Sequence, residues 1–163
     1  MALFQVSFLL LPERLFPLTE DELKAHLCDS RSAYASFRLP TNYRNDVGDI
    51  LPQKKSWSSD PGMELWGDDK SDDFTIFTTG ETVESIELRL DVRKLDDRLL
   101  AEFLDLASVW CCVLVERRHA TVCRMSVSQF RALVTGHAHS RALKAPHTWL
   151  PFLAEEVRRQ EKE

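Results

Sequence analysis

The sequence is poor in the residues that mark metal sites, disulfide scaffolds and the common catalytic motifs. Its four cysteines, among 163 residues, stand at positions 28, 111, 112 and 123 without any C-x-x-C spacing. This arrangement argues against a structural zinc site, and so low a cysteine content argues against a disulfide scaffold. The chain also lacks a Walker A run, a G-x-G-x-x-G turn and a G-x-S-x-G elbow, the familiar signs of nucleotide binding and serine hydrolysis. We therefore expect a protein that is not an enzyme and uses no metal or cofactor.

No hydrophobic run is long enough to cross a bilayer. The apolar residues 2–11 number ten, whereas a membrane-spanning helix needs about 20. No Lys or Arg precedes this stretch and no small-residue cleavage site follows it, so it is not typical of a signal peptide. Apolar residues on both faces predict a buried strand, and we expect a cytoplasmic protein without a membrane partner.

The rest of the chain predicts strands that alternate with helices. Its 44% hydrophobic and 29% charged residues are typical of a globular domain. Apolar periodicity and capping boxes at Thr19–Glu22 and Ser126–Gln129 predict the following elements: a strand at 2–11, a helix at about 20–30, a hairpin over 74–92, a helix at 96–109, strands at 111–115 and 121–123, a helix that Gly136 ends, and a final helix from Pro146.

The element order favours an α+β fold. We expect a single domain over residues 1–163, with a mainly antiparallel sheet and helices packed largely on one face. Residues 38–62 contain prolines and glycines but no sustained period. They are expected to form a long loop excursion, which either has a function or contains short strands that the pattern does not reveal.

Charge is distributed unevenly along the chain. The net charge is −5, which disfavours nucleic-acid binding. Residues 60–105 hold fourteen acids and five bases, while residues 106–163 hold five acids and nine bases. The basic stretch has few aromatic residues for base stacking, so we expect its charges to offset the acidic half within one fold or to favour self-association, which leaves a homodimer open.

The densest acidic stretch, residues 60–74, has three interpretations. It is a solvated surface loop, a divalent-cation site or a protein-binding face. The cation site is disfavoured because the EF-hand template requires Gly at its sixth position and Glu at its twelfth, and the stretch supplies neither. The combination of acidic and aromatic residues favours a protein-binding face, because acids steer a basic partner and aromatic residues buried in an interface carry much of its binding energy. The other metal-like group, His137, His139 and His147, has no nearby carboxylate or cysteine in the sequence, and we expect solvated histidines.

The chain resembles small bacterial immunity proteins, which are encoded beside polymorphic or type VI secretion toxins. The resemblance covers roughly residues 57–157 and is carried by four stretches: Trp66-Gly67-Asp68-x-x-Ser71-Asp72-Asp73, Glu87-x-Arg89-x-Asp91-x-Arg93, Ser140-Arg141-Ala142 and Pro146-x-x-Trp149-x-x-Phe152-Leu153. It implies a non-catalytic inhibitor that covers the active site of a cognate toxin in the cytosol. The partner would present a basic groove, and the residues expected to meet it are Asp68, Asp69, Asp72 and Asp73 as charged groups, with Trp66, Phe74 and Trp57 as anchors.

The alternative is a small enzyme or ligand-binding domain whose pocket is assembled from distant residues. Residues 86–92 alternate strictly between apolar and charged side chains, which predicts a strand with one solvated face. That face carries Glu87, Arg89 and Asp91, with Arg93 following. These side chains either line a pocket or form cross-strand pairs, each worth at most about 1 kcal/mol.

Overall fold

The structure is a computed structural model, and it describes residues 5–55, 60–68, 70–123 and 126–144, with 137–144 described as backbone only. The strands are β1 Gln5–Pro12, β2 Gln53–Lys54, β3 Met63–Gly67, β4 Asp73–Thr79, β5 Thr82–Asp91, β6 Cys112–Glu116 and β7 Thr121–Cys123. The helices are α1 Glu20–Cys28, α2 Tyr43–Gly48, α3 Asp97–Val109 and α4 Val127–Lys144. Two short 3-10 turns lie at Glu13–Leu15 and Ser30–Tyr34.

The strands form one seven-stranded sheet in the order β2-β3-β4-β5-β1-β6-β7. Every neighbouring pair is antiparallel. The predicted α+β class with an antiparallel sheet is therefore confirmed. The strand from the start of the chain lies between β5 and β6, so it is covered on both edges.

Both predicted capping boxes are present. The Thr19 hydroxyl accepts the Glu22 N–H, and the Glu22 carboxylate accepts the Thr19 N–H in return. The Ser126 hydroxyl and the Gln129 side chain make the same exchange at the start of α4. Each box satisfies backbone donors that the first turn of a helix leaves unpaired, so these two helix starts are fixed by local chemistry.

The main core lies between one face of the sheet and the helices α3 and α4. Residues opposite one another in an antiparallel pair share a face, and the register aligns Trp66 with Phe74, Phe74 with Leu88, and Leu88 with Phe8. The Phe8 ring meets Phe130 of α4 edge-on, with 5.1 Å between ring centroids. This apolar row, which crosses four strands, is therefore the floor on which the helices pack.

The excursion over residues 38–62 is partly ordered structure. It contains α2 and the two-residue strand β2, which pairs with β3. Glu64 of β3 fixes α2 because it accepts the Tyr43 hydroxyl at 2.6 Å and both Nε and Nη2 of Arg44 at 2.8 and 2.9 Å. The Trp110 indole N–H donates to Asp46 at 3.0 Å and ties the same helix to the end of α3. Short hidden strands, the second of the two expectations, are therefore present as β2.

The sequence predicted that one helix ends at Gly136 and that another begins at Pro146. Gly136 was expected to end a helix, and this prediction is wrong, because α4 continues through it to Lys144. A helix-interior glycine costs only about 1 kcal/mol relative to alanine, and Phe130 and Val134 of α4 are fully buried, so packing outweighs that cost. The helix expected from Pro146 lies outside the described residues.

Candidate functional site at the β3–β4 hairpin

The turn between β3 and β4 carries the predicted acidic residues and is closed by its own backbone. The Asp68 N–H donates to the Asp72 carbonyl at 2.9 Å, and the Ser71 N–H donates to the Asp68 carbonyl at 2.8 Å. The Asp68 carboxylate also accepts the Lys70 N–H at 3.0 Å, which is the local side-chain bond that favours aspartate in turns. We call residues 68–72 the acidic turn, although Asp69 within it lies outside the described residues.

Groups at the start of β1 and around the end of β5 brace the acidic turn. Gln5 at the start of β1 donates from Nε2 to the Ser71 carbonyl. Arg93, just after β5, donates from Nη2 to the Lys70 carbonyl at 3.4 Å. The Asp91 N–H donates to Asp72 Oδ1 at 2.7 Å. The turn is therefore held against the sheet as well as by its own bonds.

Gly67, the last residue of β3, allows the chain to enter this turn. Its φ is +82°, and a Cβ at this position would lie 2.3 Å from the Asp72 carbonyl oxygen. Gly67→Ala is therefore expected to lower the free energy of unfolding by about 1–3 kcal/mol, as measured by urea denaturation. Gly48→Ala is the matched control, because a Cβ there meets nothing within 4 Å. Equal transition midpoints for the two variants would contradict this account of the turn.

The aromatic residues predicted to anchor a partner are not on the surface. Trp66 and Phe74 are both 0% exposed, so their prediction as exposed anchors is wrong. The register places both on the face that α3 covers, where the Phe74 ring stacks on Phe103 with 5.7 Å between centroids and lies edge-on to Trp110 at 6.0 Å. Trp57, the third predicted anchor, lies outside the described residues. The aromatic part of the expected docking face is therefore core.

Asp73 is likewise inside the protein. It is 0% exposed, and its carboxylate faces Arg89 on β5 in a two-pronged pair, Nε to Oδ1 at 2.9 Å and Nη2 to Oδ2 at 2.9 Å. Burial raises the pKa of Asp73, while the bonds and charge of Arg89 oppose that shift. Asp73, which the sequence predicted to meet a partner, is therefore enclosed and already paired in the structure.

Asp68 and Asp72 remain closer to solvent. The Asp68 side chain is 48% exposed and lies 3.1 Å from Lys54 Nζ. Asp72 is half-buried, and burial raises its pKa to about 6, with repulsion from Asp91 and Asp73 adding to the shift. Of the predicted acids that the structure describes, Asp68 has the most accessible carboxylate, which is about half exposed.

The charged side chains of β5, and Arg93 just after it, pair with other charged groups. Arg89 pairs with Asp73, Arg117 Nη1 lies 3.1 Å from Glu87, and Arg93 holds Asp91 through Nε at 2.8 Å and Nη2 at 2.5 Å. Asp91 is 0% exposed, so this face is only partly solvated. The cross-strand interpretation holds for Arg89 and Asp73, which join neighbouring strands, whereas Arg93 and Asp91 pair within one segment.

The acidic stretch is largely neutralised within the fold. Eight of the fourteen acids between residues 60 and 105 have an ion-pair partner among the described residues, and five of those partners come from outside that stretch. The five are Arg31, Arg44, Lys54, Arg117 and Arg131. A net charge of −9 over a stretch of sequence therefore does not become an acidic surface of that strength.

Two of the four thiols are enclosed and two are exposed. Burial raises the pKa of both Cys112 and Cys123 to about 12, so these thiols are not nucleophilic near neutral pH. Both line a half-open pocket of about 220 Å³ beside α3, together with Leu104 and Ala107. Cys28 and Cys111 are exposed. Within the described ranges, no three His, Cys, Asp or Glu side chains are grouped to hold a metal ion.

Gln5 is the functional-site residue that the sequence analysis missed. It is 0% exposed and contacts the acidic turn from the far end of the chain, across β5. The available signal was its polarity within an otherwise apolar run, since a buried amide needs a hydrogen-bond partner. The sequence could not identify that partner, because Ser71 is 66 residues away.

Comparisons with known proteins identify no relative. No protein-family model, no curated protein and no solved structure matches the chain. Among the helices that the structure describes, none combines the length and apolar character needed to span a membrane.

Proposed function

We propose that the chain is a non-catalytic binding protein of the immunity type, which neutralises a cognate toxin in the cytosol by covering its active site. The docking element is the acidic turn together with Lys54, in place of the wider acidic and aromatic face that the sequence suggested. The resemblance stretch that begins at Trp66-Gly67-Asp68 supplies this hairpin.

The observation that carries the proposal is the bracing of the acidic turn. Gln5 and Arg93 bond its carbonyls, and Asp91 bonds its last side chain. A loop that is already ordered loses little conformational entropy when it binds, so more of the contact energy appears as affinity. Loops held on a rigid sheet are also where binding residues are commonly placed. Such bracing favours a recognition loop.

The chemistry of the turn indicates a partner with exposed cations. Asp68 already holds the ammonium of Lys54 at 3.1 Å, and both side chains are about half exposed, at 48% and 49%. A Lys or Arg of the toxin can replace Lys54 at this carboxylate without burying a new charge. Exposed charge pairs of this kind act mainly on the rate of association and on specificity.

Asp68→Lys is expected to slow association with the toxin by about tenfold at low ionic strength, with a smaller effect at physiological salt. The toxin to be tested is the product of the adjacent gene. The association rate is measured by surface plasmon resonance, and neutralisation is measured as growth of cells that express both proteins. Asp105→Lys is the matched control, because it makes the same charge change at an exposed position of α3.

The two variants separate the acidic turn from net charge. A loss confined to Asp68→Lys supports docking through the turn. Equal losses for both variants would show that overall charge steers the partner, and unchanged rates for Asp68→Lys would remove the turn from the interface. Absence of any binding by the wild-type chain would refute the proposed function itself.

A further inference from the structure

Three carboxylates and two guanidinium groups meet where the acidic turn joins the sheet. Asp73 forms a bidentate ion pair with Arg89, and Asp91 forms one with Arg93. Asp72 is the third carboxylate. Among the described residues its one hydrogen bond is the N–H of Asp91, at 2.7 Å. The cluster therefore carries one more acid than its guanidinium groups can neutralise.

The groups that face Asp72 come from each element around it. Asp73 lies beside it at the start of β4 and Asp91 at the end of β5, and both repel a negative charge on Asp72. Lys94, in the connection to α3, opposes them, but it is exposed, and water screens its charge. Burial is the largest influence and raises the pKa of Asp72 to about 6, although the bond from the Asp91 N–H opposes this rise.

We infer that Asp72 is a proton-operated latch that holds the acidic turn more firmly against the end of β5 as the medium becomes acidic. A proton from solvent binds one carboxylate oxygen and removes the surplus negative charge of the cluster. The other oxygen continues to accept the Asp91 N–H. When the proton is lost, the buried charge weakens the closed form, so the turn, which Gln5 and Arg93 still hold, opens to water more often.

The direction of the pH dependence follows from the raised pKa of Asp72. The closed turn holds Asp72 at a pKa near 6, and the opened turn exposes it to water at its ordinary value near 4. The closed form therefore binds the proton more tightly, so closure is favoured below the lower pKa, and the advantage is lost as the pH rises through the upper one. Between about pH 7.5 and about pH 5 the closing equilibrium should change by about tenfold.

The latch is tested in the chain alone by amide hydrogen exchange, without any toxin. Protection factors, corrected for the intrinsic rate at each pH, are measured at the N–H groups of Asp68, Ser71 and Asp91. In the wild type they should rise by about tenfold from about pH 7.5 to about pH 5. Asp72→Asn keeps an acceptor for Asp91 but cannot titrate, so its protection factors should stay level. The matched control, Asp105→Asn on the exposed side of α3, should follow the wild type.

Two outcomes would overturn the latch. One is a wild-type profile that does not change with pH, and the other is an Asp72→Asn profile that still rises. Carbon-detected NMR titration of the wild-type Asp72 carboxyl provides a second measurement that needs no variant. A midpoint near 6 supports the latch, and a midpoint near 4 overturns it. None of these results depends on whether the acidic turn docks a toxin, so the latch and the proposed function can fail separately.

Discussion

Arg89→Ala is expected to lower the free energy of unfolding by about 3–5 kcal/mol. The substitution leaves the Asp73 carboxylate, 0% exposed, without the guanidinium that bonds both of its oxygens. A buried charge that loses its partner bears its full desolvation cost. Urea denaturation at neutral pH measures the loss, which should shrink as the pH falls, because a proton can then neutralise Asp73.

Two controls separate this effect from the loss of any arginine. Arg98→Ala removes the exposed pair with Glu102, in which the arginine side chain is 82% exposed, and should cost only about 0.5 kcal/mol or less. Asp73→Asn combined with Arg89→Ala should recover part of the loss, because no buried charge remains. A loss below about 1 kcal/mol for Arg89→Ala would show that Asp73 is not enclosed as described.

Phe74→Ala is expected to destabilise the protein by about 3–5 kcal/mol. The ring stacks on Phe103 and meets Trp66 and Trp110 edge-on, so its removal leaves a cavity in the aromatic part of the core. Calorimetry or urea denaturation measures the loss. Val109→Ala, at a side chain that is 73% exposed, is the control and should change stability by about 0.5 kcal/mol or less.

The same variant distinguishes a core residue from a docking anchor. If Phe74 is core, the folded fraction of Phe74→Ala should bind the toxin with nearly unchanged kinetics while its melting temperature falls. A stable Phe74→Ala with a strongly increased dissociation rate would indicate instead that the ring is presented to the partner.

Elements defined by local chemistry could be predicted from the sequence. Thr19 and Ser126 begin their helices through bonds that span three residues, and such bonds are readable as a spacing. The alternation of Ile86, Leu88 and Leu90 likewise gave the buried face of β5. Gly136 failed as a helix end because its local cost is small beside the burial of Phe130 and Val134.

The candidate site could be predicted only in part, because its geometry depends on distant segments. Whether Trp66 faces solvent depends on the register of β3 with β4 and on α3, and a five-residue strand with both faces covered shows no clear period. The expectation of a strongly acidic face, which rested on the charge pattern along the chain, failed for the same reason. Arg131 lies 34 residues from Asp97 and Arg117 lies 30 residues from Glu87. Charges counted along the sequence therefore leave these acids as unpaired negative charge, although the fold brings each of them next to an arginine.

The central position of β1 has a consequence for biosynthesis. Its partners are β5 and β6, so after its own synthesis β1 must wait for residue 91 before one edge is fully paired and for residue 116 before the other is. Strand pairing between residues so far apart in the sequence slows folding, because the entropy cost of closing a long loop is incurred before the stabilising contacts form. During translation the strand therefore presents an unprotected apolar segment of the kind that chaperones shield from aggregation.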